Sequence, residues 1–330
     1  MLNLSNKKIL VTGGAGMIGS HISSKLQKRG ARVVILDNFM AYPFDYSVEF
    51  GTRLKDIEII DGSIMDRNLV SDIMKDTDIV IHAAAYADVG ASVRNYDIDF
   101  QVNVVGTEIV LEEAKKANVE KFTFVSSAAV YGEETSDSRE PIFSENQRCK
   151  PISTYGNSKL WGETQTQLFS KLYGMSTTSV RYFSVYGSPQ VPKEGSHSWC
   201  VAIFSMLAMK GKDITVFGDG KQIRDFTHVS DIAEGTVLAT LNPSTDGKII
   251  NIGRGKPTEI ISIAEKIIHR IGKVDIKFKP RPPGDPIGGY ADVERMKKLL
   301  NWQPKVSIDE GIDEYCDWVK DNKHIVPEWI

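Results

Sequence analysis

A tyrosine and a lysine that stand four residues apart, Tyr155 and Lys159, are the residues most suited to proton chemistry in this sequence. The pattern over residues 154–173 predicts a helix, which places both side chains on one face. A phenol with a pKa near ~10 is a poor base at neutral pH, but a neighbouring ammonium stabilises the phenolate and lowers that pKa. The pair therefore predicts a tyrosine that moves protons, although the same spacing occurs by chance in many helices.

A serine pair strengthens this interpretation. Ser126 and Ser127 directly follow a predicted buried strand over residues 121–125, and the carboxyl ends of parallel strands border the ligand crevice of a doubly wound sheet. The Ser127 hydroxyl is then placed to hydrogen-bond the same substrate oxygen that Tyr155 deprotonates. A capping serine in an ordinary loop is the alternative that the residues leave open.

The sequence TGGAGMIG at residues 12–19 is a second feature with a chemical use. Its glycines follow a predicted strand and precede a predicted helix, where they allow a tight turn and let a pyrophosphate approach backbone N–H groups. The sequence thus predicts a dinucleotide site. The residues expected to contact the dinucleotide in this turn are Gly13, Gly16, Met17, Ile18 and Gly19.

An acidic residue at the end of the next strand indicates which dinucleotide binds. The Asp37 carboxylate can accept hydrogen bonds from both ribose hydroxyls and would repel a 2′-phosphate, which favours NAD over NADP. We expect Asn38 beside it to contribute, together with Ser63 and Ile64 after the third strand, near the adenine. A plain surface turn is the alternative for the last two.

The elements that must position these residues alternate along the first half of the chain. Short apolar runs predict strands, and longer patterns between them predict helices, the longest over about 98–117 and 154–173; the predicted strands are 9–12, 33–36, 57–60, 79–81 and 121–125. This order predicts an α/β fold, a Rossmann-type doubly wound parallel sheet. We expect a dinucleotide-binding domain over residues 1–178, rejoined by about 229–255, and a smaller, partly interleaved C-terminal substrate-binding lobe over 179–330.

Composition excludes several classes of protein. The 330 residues are 41% hydrophobic and 25% charged, which is typical of a soluble globular enzyme. Forty basic and 43 acidic side chains leave a formal charge of −3, so no basic surface predicts nucleic-acid binding. No apolar run approaches the ~20 residues that cross a bilayer, and residues 1–8 do not resemble a signal peptide.

Cysteine and histidine spacing argues against disulfides and against a metal site. The cysteines are far apart and favour a reducing cytoplasm; they are Cys149, Cys200 and Cys316. Three histidines match no ligand spacing, so no metal is predicted; they are His82, His197 and His228.

Further motifs extend over nearly the whole chain: HAAA at 82–85, NVVGT at 103–107, SSAAVYG at 126–132, YGNSK at 155–159, VRYFSVYG at 180–187, GDGKQIRDFTHV at 218–229 and PPGD at 282–285. Together with the glycine turn and Asp37, these motifs resemble the extended short-chain dehydrogenase/reductases, and within them the nucleotide-sugar epimerases and dehydratases. The resemblance implies NAD as cofactor and a nucleotide sugar, with a UDP-sugar favoured, as substrate.

The resemblance also implies the roles of individual residues. Tyr155 takes the C4-hydroxyl proton of the sugar while C4 gives a hydride to NAD, Ser127 orients the oxygen, and Lys159 binds the nicotinamide ribose. On the cofactor side it implies Ala83, Ala84 and Asn103, the last of which orders the active-site helix. On the substrate side it implies Ser184, Phe217, Arg224, Arg281, Asp285 and Gly289.

Residues beside the predicted active serine separate the reactions of this family. The dehydratases carry an Asp-Glu pair where this chain has Ala128 and Ala129, and the decarboxylases carry a glutamate at the second position. Val191 replaces the arginine of glucuronate epimerases. Epimerisation at C4 remains, on a UDP-hexose or a UDP-N-acetylhexosamine, although Ser184 and Pro282 depart from the usual asparagine and arginine. The alternatives are a reductase, a 2-epimerase, an unusual dehydratase, or a non-catalytic NAD-sensing protein.

Two finer expectations follow from the resemblance. Gly289 aligns with the residue that gates the pocket near C2 of the sugar, and a position without a side chain leaves room for an acetamido group. The helices over about 98–117 and 155–173 match those that form a homodimer interface, and both carry more apolar residues than one stripe facing the sheet needs. These residues include Val102, Val110, Leu111, Leu168, Phe169 and Leu172.

Overall fold

The computed structural model describes residues 2, 4–41, 53–132, 141–194, 199–272, 274–281 and 288–330. The strands in these residues are β1 (Lys8–Thr12), β2 (Arg32–Asp37), β3 (Glu58–Asp61), β4 (Ile79–His82), β5 (Lys121–Ser127), β6 (Ile142–Phe143), β7 (Thr177–Tyr182), β8 (Val185–Tyr186), β9 (Ile214–Phe217), β10 (Ile223–Arg224), β11 (Thr227–His228), β12 (Lys248–Ile252), β13 (Thr258–Glu259), β14 (Ile276–Lys279) and β15 (Tyr290–Ala291).

The α-helices in the same residues are α1 (Met17–Gln27), α2 (Arg67–Met74), α3 (Val89–Arg94), α4 (Tyr96–Asp99), α5 (Thr107–Lys116), α6 (Thr154–Tyr173), α7 (Cys200–Met209), α8 (Val229–Leu241), α9 (Ile260–Ile271), α10 (Glu294–Leu300) and α11 (Ile308–Asp321). Helix α6 has the predicted bounds. The single helix expected over about 98–117 is wrong in one respect, because a π-helix at Phe100–Gly106 separates α4 from α5.

Seven strands form one sheet in the order β12-β7-β5-β4-β1-β2-β3. All neighbouring pairs in this sheet are parallel. The strand order reverses between β1 and β4, and ligands of such sheets bind at the crevice outside the carboxyl ends of these strands. The predicted Rossmann-type α/β fold is confirmed.

Apolar side chains on both faces explain why these strands pair in parallel. Residues 9–11 of β1 and 79–81 of β4 are wholly buried, as expected for strands covered on both faces. Helices α1 and α8 pack on one face, and α2, α5 and α6 cover the other. The sheet is therefore a rigid frame whose carboxyl edge presents loops.

The later part of the chain both returns to the sheet and builds a second apolar core. Strand β7 crosses the predicted domain boundary at about residue 178, and β12 pairs with β7 at the edge of the sheet. Helices α7, α9 and α11 surround the second core. The division into two domains stays a prediction. Within the described residues, no helix is both long and apolar enough to cross a membrane.

Candidate functional site

The turn after β1 has glycines where backbone segments approach most closely. Gly13 has a φ of +69°, and a Cβ there would lie 2.7 Å from the Cα of Ala84. A Cβ on Gly19 would lie 2.1 Å from the Gly13 carbonyl oxygen, so α1 packs directly onto the turn. At Gly16, however, a Cβ would contact only that oxygen, at 3.4 Å. This side of the turn is open to a ligand.

The first turn of α1 begins at that open side. Gly16 is the N-cap, and no side chain of the described residues caps the helix. Met17 is buried and Ile18 is half-buried. We therefore expect both residues to contact a ligand through their backbone and not through exposed side chains. The N-terminal N–H groups of α1, with the helix dipole, therefore suit an anion such as a pyrophosphate.

Asp37 is held beside this turn by backbone amides. Its Oδ2 accepts a hydrogen bond from the Ala15 N–H at 2.9 Å, and its Oδ1 accepts one from the Phe39 N–H at 2.9 Å. Burial raises the pKa of Asp37, and these hydrogen bonds oppose the rise. Asn38 is exposed, and its side-chain oxygen accepts from the Met40 N–H at 3.2 Å. The carboxylate thus lies where the glycine turn and β2 meet.

The turn after β3 lies next to Asp37. The Gly62 N–H donates to the Asp37 carbonyl oxygen at 3.0 Å. The Ser63 hydroxyl accepts from the Met65 N–H at 3.1 Å, which shapes the turn, and Ile64 is buried. The structure therefore brings the four residues expected near the adenosine to one corner of the sheet; their contact with a cofactor stays a prediction.

His82 closes the opposite side of the turn as a buried, neutral side chain. Its Nδ1 lies 2.7 Å from the Thr12 hydroxyl and its Nε2 lies 3.0 Å from the Thr107 hydroxyl. Burial lowers the pKa of His82 to about 3. Ala83 and Ala84 follow it, and both of their N–H groups donate to Thr12, at 3.1 and 3.2 Å. His82 therefore joins β4 to β1 and α5.

Asn103 lies in the π-helix and connects two segments of the site. Its Oδ1 accepts from the Tyr86 N–H at 2.8 Å, and its Nδ2 donates to the Tyr86 carbonyl oxygen at 3.2 Å. The same amide donates to Asp99 at 2.7 Å and lies 3.3 Å from the hydroxyl of Ser158 on α6. Asn103 therefore fixes both the segment after β4 and the helix that carries Tyr155.

Ser127, Tyr155 and Lys159 lie together at the end of β5. The Tyr155 and Ser127 hydroxyls hydrogen-bond each other, and the Lys159 Nζ lies 5.9 Å from the centroid of the Tyr155 ring. A Cβ on Gly156 would lie 2.5 Å from the Ala129 carbonyl oxygen. Glycine at 156 thus lets α6 approach the serine loop closely enough for this contact.

Burial dominates the protonation of both groups. Burial raises the pKa of Tyr155 to about 12; the hydrogen bond with Ser127 opposes the rise and Asp99 adds to it. Burial also lowers the pKa of Lys159 to about 8, against the carboxylates of Asp99 and Glu163. In the chain by itself burial therefore keeps the pKa of Tyr155 above its ordinary value; the lowering expected from Lys159 together with a positively charged nicotinamide stays a prediction.

A buried ion pair supports the serine loop from behind. The Glu163 Oε1 accepts from the Ser126 hydroxyl at 2.6 Å and from the Arg181 Nε at 2.8 Å, and its Oε2 accepts from the Arg181 Nη2 at 2.7 Å. The guanidinium lies 4.6 Å from the centroid of the Tyr131 ring. These contacts fix α6, β5 and β7 relative to one another.

The C-terminal lobe brings three predicted substrate residues into one region. Phe217 ends β9, and the stem of Arg281 lies against the next residue, because a Cβ on Gly218 would come within 2.6 Å of the Arg281 Cγ. The Gln222 side chain donates to the Phe217 carbonyl oxygen at 3.0 Å. Two residues later, Arg224 donates through Nη1 to the Ile223 carbonyl oxygen at 2.8 Å and lies beside Gly288. An aromatic ring and two guanidinium groups suit a base and a diphosphate.

The remaining predicted substrate residues are placed differently. Ser184 follows β7, half-buried, and its carbonyl oxygen accepts from the Thr227 N–H at 3.2 Å. Asp285 lies outside the described residues, as do Pro282 and His197. Among the residues that the structure describes, no group of three or more His, Cys, Asp or Glu side chains is arranged to hold a metal ion.

Gly289 is buried against β6, which differs from the open position expected of a gate. A Cβ there would lie 2.5 Å from the Pro141 carbonyl oxygen and 2.6 Å from the Phe143 ring. Phe143 in turn stacks on Tyr131 of the serine loop, with ring centroids 4.9 Å apart. Packing alone thus requires glycine at 289, and its role as a gate stays a prediction.

Asp99, Ser158, Glu163 and Arg181 contact the site but were not expected from the sequence. Two of them carried a readable signal, since Glu163 lies four residues after Lys159 and Asp99 lies four before Asn103. That spacing places each on the same helix face as a predicted site residue. No such spacing pointed to Ser158 or Arg181.

Comparisons with known proteins agree with this geometry. Residues 9–253 match the NAD dependent epimerase/dehydratase family. The chain is 37% identical to a Methanocaldococcus jannaschii protein provisionally named UDP-glucose 4-epimerase, over 95% of this chain and 99% of that one. Two solved structures cover 96% of this chain and 99% of their own: a UDP-N-acetylglucosamine 4-epimerase of Methanobrevibacter ruminantium with UDP-N-acetylmuramic acid (29% identity, TM-score 0.87) and a UDP-glucuronic acid 4-epimerase of Bacillus cereus with UDP-glucuronic acid and NAD (31% identity, TM-score 0.88).

These similarities extend over almost the full length of the chain, and the matched range includes the glycine turn, the serine loop and the helix of Tyr155. They confirm the resemblance drawn from the motifs. The protein therefore belongs to the NAD-dependent epimerase/dehydratase family.

Proposed function

We propose that this chain is an NAD-dependent 4-epimerase of a nucleotide sugar and acts on a UDP-hexose or a UDP-N-acetylhexosamine. The observation that carries the proposal is the grouping of Ser127, Tyr155 and Lys159 beside the open glycine turn, at the carboxyl edge of the sheet. The relatives described above, which carry the names of UDP-sugar 4-epimerases, support it.

The residues at the glycine turn fit a dinucleotide. The uncapped N–H groups of α1 would hold the pyrophosphate, Asp37 the adenosine ribose, and Lys159 the nicotinamide ribose. The negative charge of Asp37 favours NAD over NADP, because it repels a 2′-phosphate. NAD, when bound, supplies a hydride acceptor for C4 of the sugar and a positive charge beside the Tyr155 phenol.

The chain's own groups handle the proton and the oxygen. Tyr155 removes the proton of the C4 hydroxyl and later returns one to the same oxygen. Ser127, which hydrogen-bonds Tyr155, donates to that oxygen and keeps it within reach. The Lys159 ammonium, which donates to the Val125 carbonyl oxygen at 3.0 Å, stabilises the phenolate by its charge.

Two alanines favour epimerisation over elimination. Ala128 and Ala129 begin the 3₁₀ turn directly after Ser127, and both are partly exposed. Their methyl groups neither donate nor accept protons, so these two positions supply no second acid–base pair for the loss of water. Inversion at C4 requires of the protein only proton transfer at one oxygen, for which Tyr155 is sufficient, because removal of the C4 hydride and its return to the opposite face are the chemistry that NAD supplies when bound.

The sugar is proposed from two sides of the site. Arg224 and Arg281 supply guanidinium groups that match a diphosphate, and Phe217 supplies a ring for the base. The proposal includes sugars with an acetamido group at C2 as well as plain hexoses, because the family resemblance assigns Gly289 to the gate near C2; its buried packing against β6 requires glycine on its own account.

Conversion of a panel of UDP-, dTDP-, GDP- and CDP-sugars, followed by NMR, tests the function. We expect interconversion of C4 epimers without change of mass and without added NADH, and loss of at least ~10²-fold in turnover in Tyr155→Phe. Consumption of external NAD(P)H would instead identify a reductase, inversion at C2 a 2-epimerase, and loss of water a dehydratase. NAD binding with no turnover of any sugar would identify a sensing protein.

We propose that the chain forms a homodimer through the neighbouring helices α4 and α6 and the π-helix. Leu168 and Leu172 on α6 are 40% and 63% exposed, and the rings of Tyr96 on α4 and Phe100 on the π-helix are also exposed. The other apolar residues singled out from the sequence belong to the chain's own core or its border: Val102, Val110, Leu111 and Phe169. An exposed apolar patch on adjacent helices is typical of an interface.

Light scattering at micromolar concentration tests the dimer. Leu172→Glu should shift the protein toward monomer, whereas Phe278→Glu, at a similarly exposed position on β14, should leave its mass unchanged. A wild type that is strictly monomeric would exclude the dimer.

We also propose a cytoplasmic location. All three cysteines, Cys149, Cys200 and Cys316, are free and at least half-buried, which is typical of proteins in reducing compartments. Fluorescent fusions that localise to an oxidising compartment would contradict it.

A further inference from the structure

A buried carboxylate, that of Asp99, lies behind the helix of Tyr155 and Lys159 and does not itself contact the proposed reacting groups. Asp99 ends α4 and is 2% exposed. A carboxylate in such a position is costly unless it is hydrogen-bonded or faces a cation. Its partners therefore indicate what it does.

The hydrogen bonds of Asp99 lead directly to the catalytic helix. The Asn103 amide donates to its Oδ1 at 2.7 Å, and the same amide group lies 3.3 Å from the Ser158 hydroxyl. Ser158 precedes Lys159 on α6, and its hydroxyl lies 3.0 Å from the Tyr155 carbonyl oxygen. Asp99 is thus coupled, through Asn103 and Ser158, to the backbone between the two active residues.

Two carboxylates, those of Asp99 and Glu163, act electrostatically on Lys159. On its own helix Lys159 faces Tyr155 and Glu163, and the carboxylate of Glu163 is already paired, through both oxygens, with Arg181 of β7. From β4 it faces His82, which burial keeps neutral. Strand β5 supplies the Val125 carbonyl oxygen and the Phe124 ring, whose centroid is 5.1 Å from the Nζ, and neither group is charged. Among the described residues, Asp99 is the facing carboxylate that no arginine neutralises.

We propose that Asp99 is a positioning residue for the epimerisation, whose carboxylate supplies the counter-charge of the Lys159 ammonium and holds α6 in register with the π-helix through Ser158 and Asn103. This inference rests on the proposed function, in which Lys159 acts as a cation and Tyr155 as a base. A negative charge here raises the pKa of Lys159 and also that of Tyr155. Asp99 therefore sets the pH range in which the pair works.

Asp99→Asn tests the charge, because asparagine keeps the size and the hydrogen-bonding capacity of the side chain. Ser158→Ala is the matched control, since it removes a hydrogen bond and leaves every charge in place. In Asp99→Asn we expect both limbs of the pH profile of kcat to move to lower pH by about 1 unit, the lower end of what a neighbouring charge produces. In Ser158→Ala we expect both limbs to stay where they are in the wild type.

A second measurement does not depend on turnover. With NAD bound, the phenolate absorbance of Tyr155 is titrated as the difference between each protein and its Tyr155→Phe counterpart. We expect the Tyr155 transition of Asp99→Asn at lower pH than that of the wild type. If the wild type converts no nucleotide sugar, the proposed function fails, and this titration still decides the effect of Asp99.

Several results would overturn the inference. If Asp99→Asn lowers turnover but moves neither the limbs of the pH profile of kcat nor the Tyr155 phenolate transition, Asp99 is only structural. If Ser158→Ala moves the pH profile as far as Asp99→Asn does, the effect belongs to the hydrogen bond and not to the charge. If Asp99→Asn does not fold, Asp99→Ser removes the same charge with a smaller side chain. Failure of both to fold or to bind NAD would also reject the proposal in favour of a structural role.

Discussion

Glu163→Gln breaks the buried ion pair behind the serine loop, and its cost follows from the geometry. The side chains of Glu163 and Arg181 are 1% and 2% exposed, so neither finds water when the other changes. Glutamine presents an amide N–H₂ group to the guanidinium where the second oxygen had accepted a hydrogen bond. Breaking one partner of such a pair costs about 3–5 kcal/mol, a large share of the 5–15 kcal/mol that is typical of whole domains.

The assay is urea unfolding followed by circular dichroism at one saturating NAD concentration, so that ligand binding contributes equally to every variant. Glu294→Gln is the matched control: its pair with Lys297 is exposed, and its loss should cost less than ~0.5 kcal/mol. Arg181→Met with Glu163→Gln removes the buried charges together and should destabilise less than the sum of the single changes. A cost below ~1 kcal/mol for Glu163→Gln, or additivity in the double variant, would refute the reasoning.

Three further predictions use other contacts of the site. Asp37→Ser should raise the affinity for NADP relative to NAD at least ~10-fold, because it removes the charge that repels a 2′-phosphate; an unchanged ratio by calorimetry would contradict it. Gly156→Ala should lower kcat by ~10-fold or more, because a Cβ 2.5 Å from the Ala129 carbonyl oxygen pushes α6 off the serine loop; wild-type kcat would contradict it. The pKa of His82 is about 3 in the fold against 6.5 for the free group, so the unfolded state binds more protons below pH 6.5 and stability falls as the pH drops from there toward 3. His82→Gln should remove about 1.2 kcal/mol of that loss between pH 6 and 5, and equal slopes in urea unfolding would contradict it.

The features that the sequence predicted best are those contained in one element or one turn. Tyr155 and Lys159 share a face of α6 because of helix geometry alone. The turn after β1 was predictable because its backbone lies so close to itself and to α1 that glycine is required. The parallel sheet could also be predicted from the sequence, since wholly apolar strands such as β1 and β4 indicate burial on both faces.

What the sequence could not show are contacts that depend on the register of neighbouring elements. Ser126 lies opposite Arg181 only because β5 and β7 pair in the observed register, which then brings Glu163 to both. The π-helix is a second case, because the apolar pattern of residues 98–117 fits a continuous helix and gives no sign of the wider turns. The contacts of Asn103 that join Asp99 to Ser158 depend on those turns.

A deuterium label at C4 of a UDP-sugar shows whether the hydride leaves C4 and returns to it, as 4-epimerisation requires. The chain is incubated with a C4-deuterated UDP-hexose and, separately, a C4-deuterated UDP-N-acetylhexosamine, with Tyr155→Phe as control, and the products are followed by NMR. We expect at least one of the two sugars to give a mixture of C4 epimers in which deuterium remains at C4. Tyr155→Phe should carry out this conversion at no more than ~1% of the wild-type rate. Epimers that lose the label to solvent, or no inversion at C4 of either sugar, would contradict it.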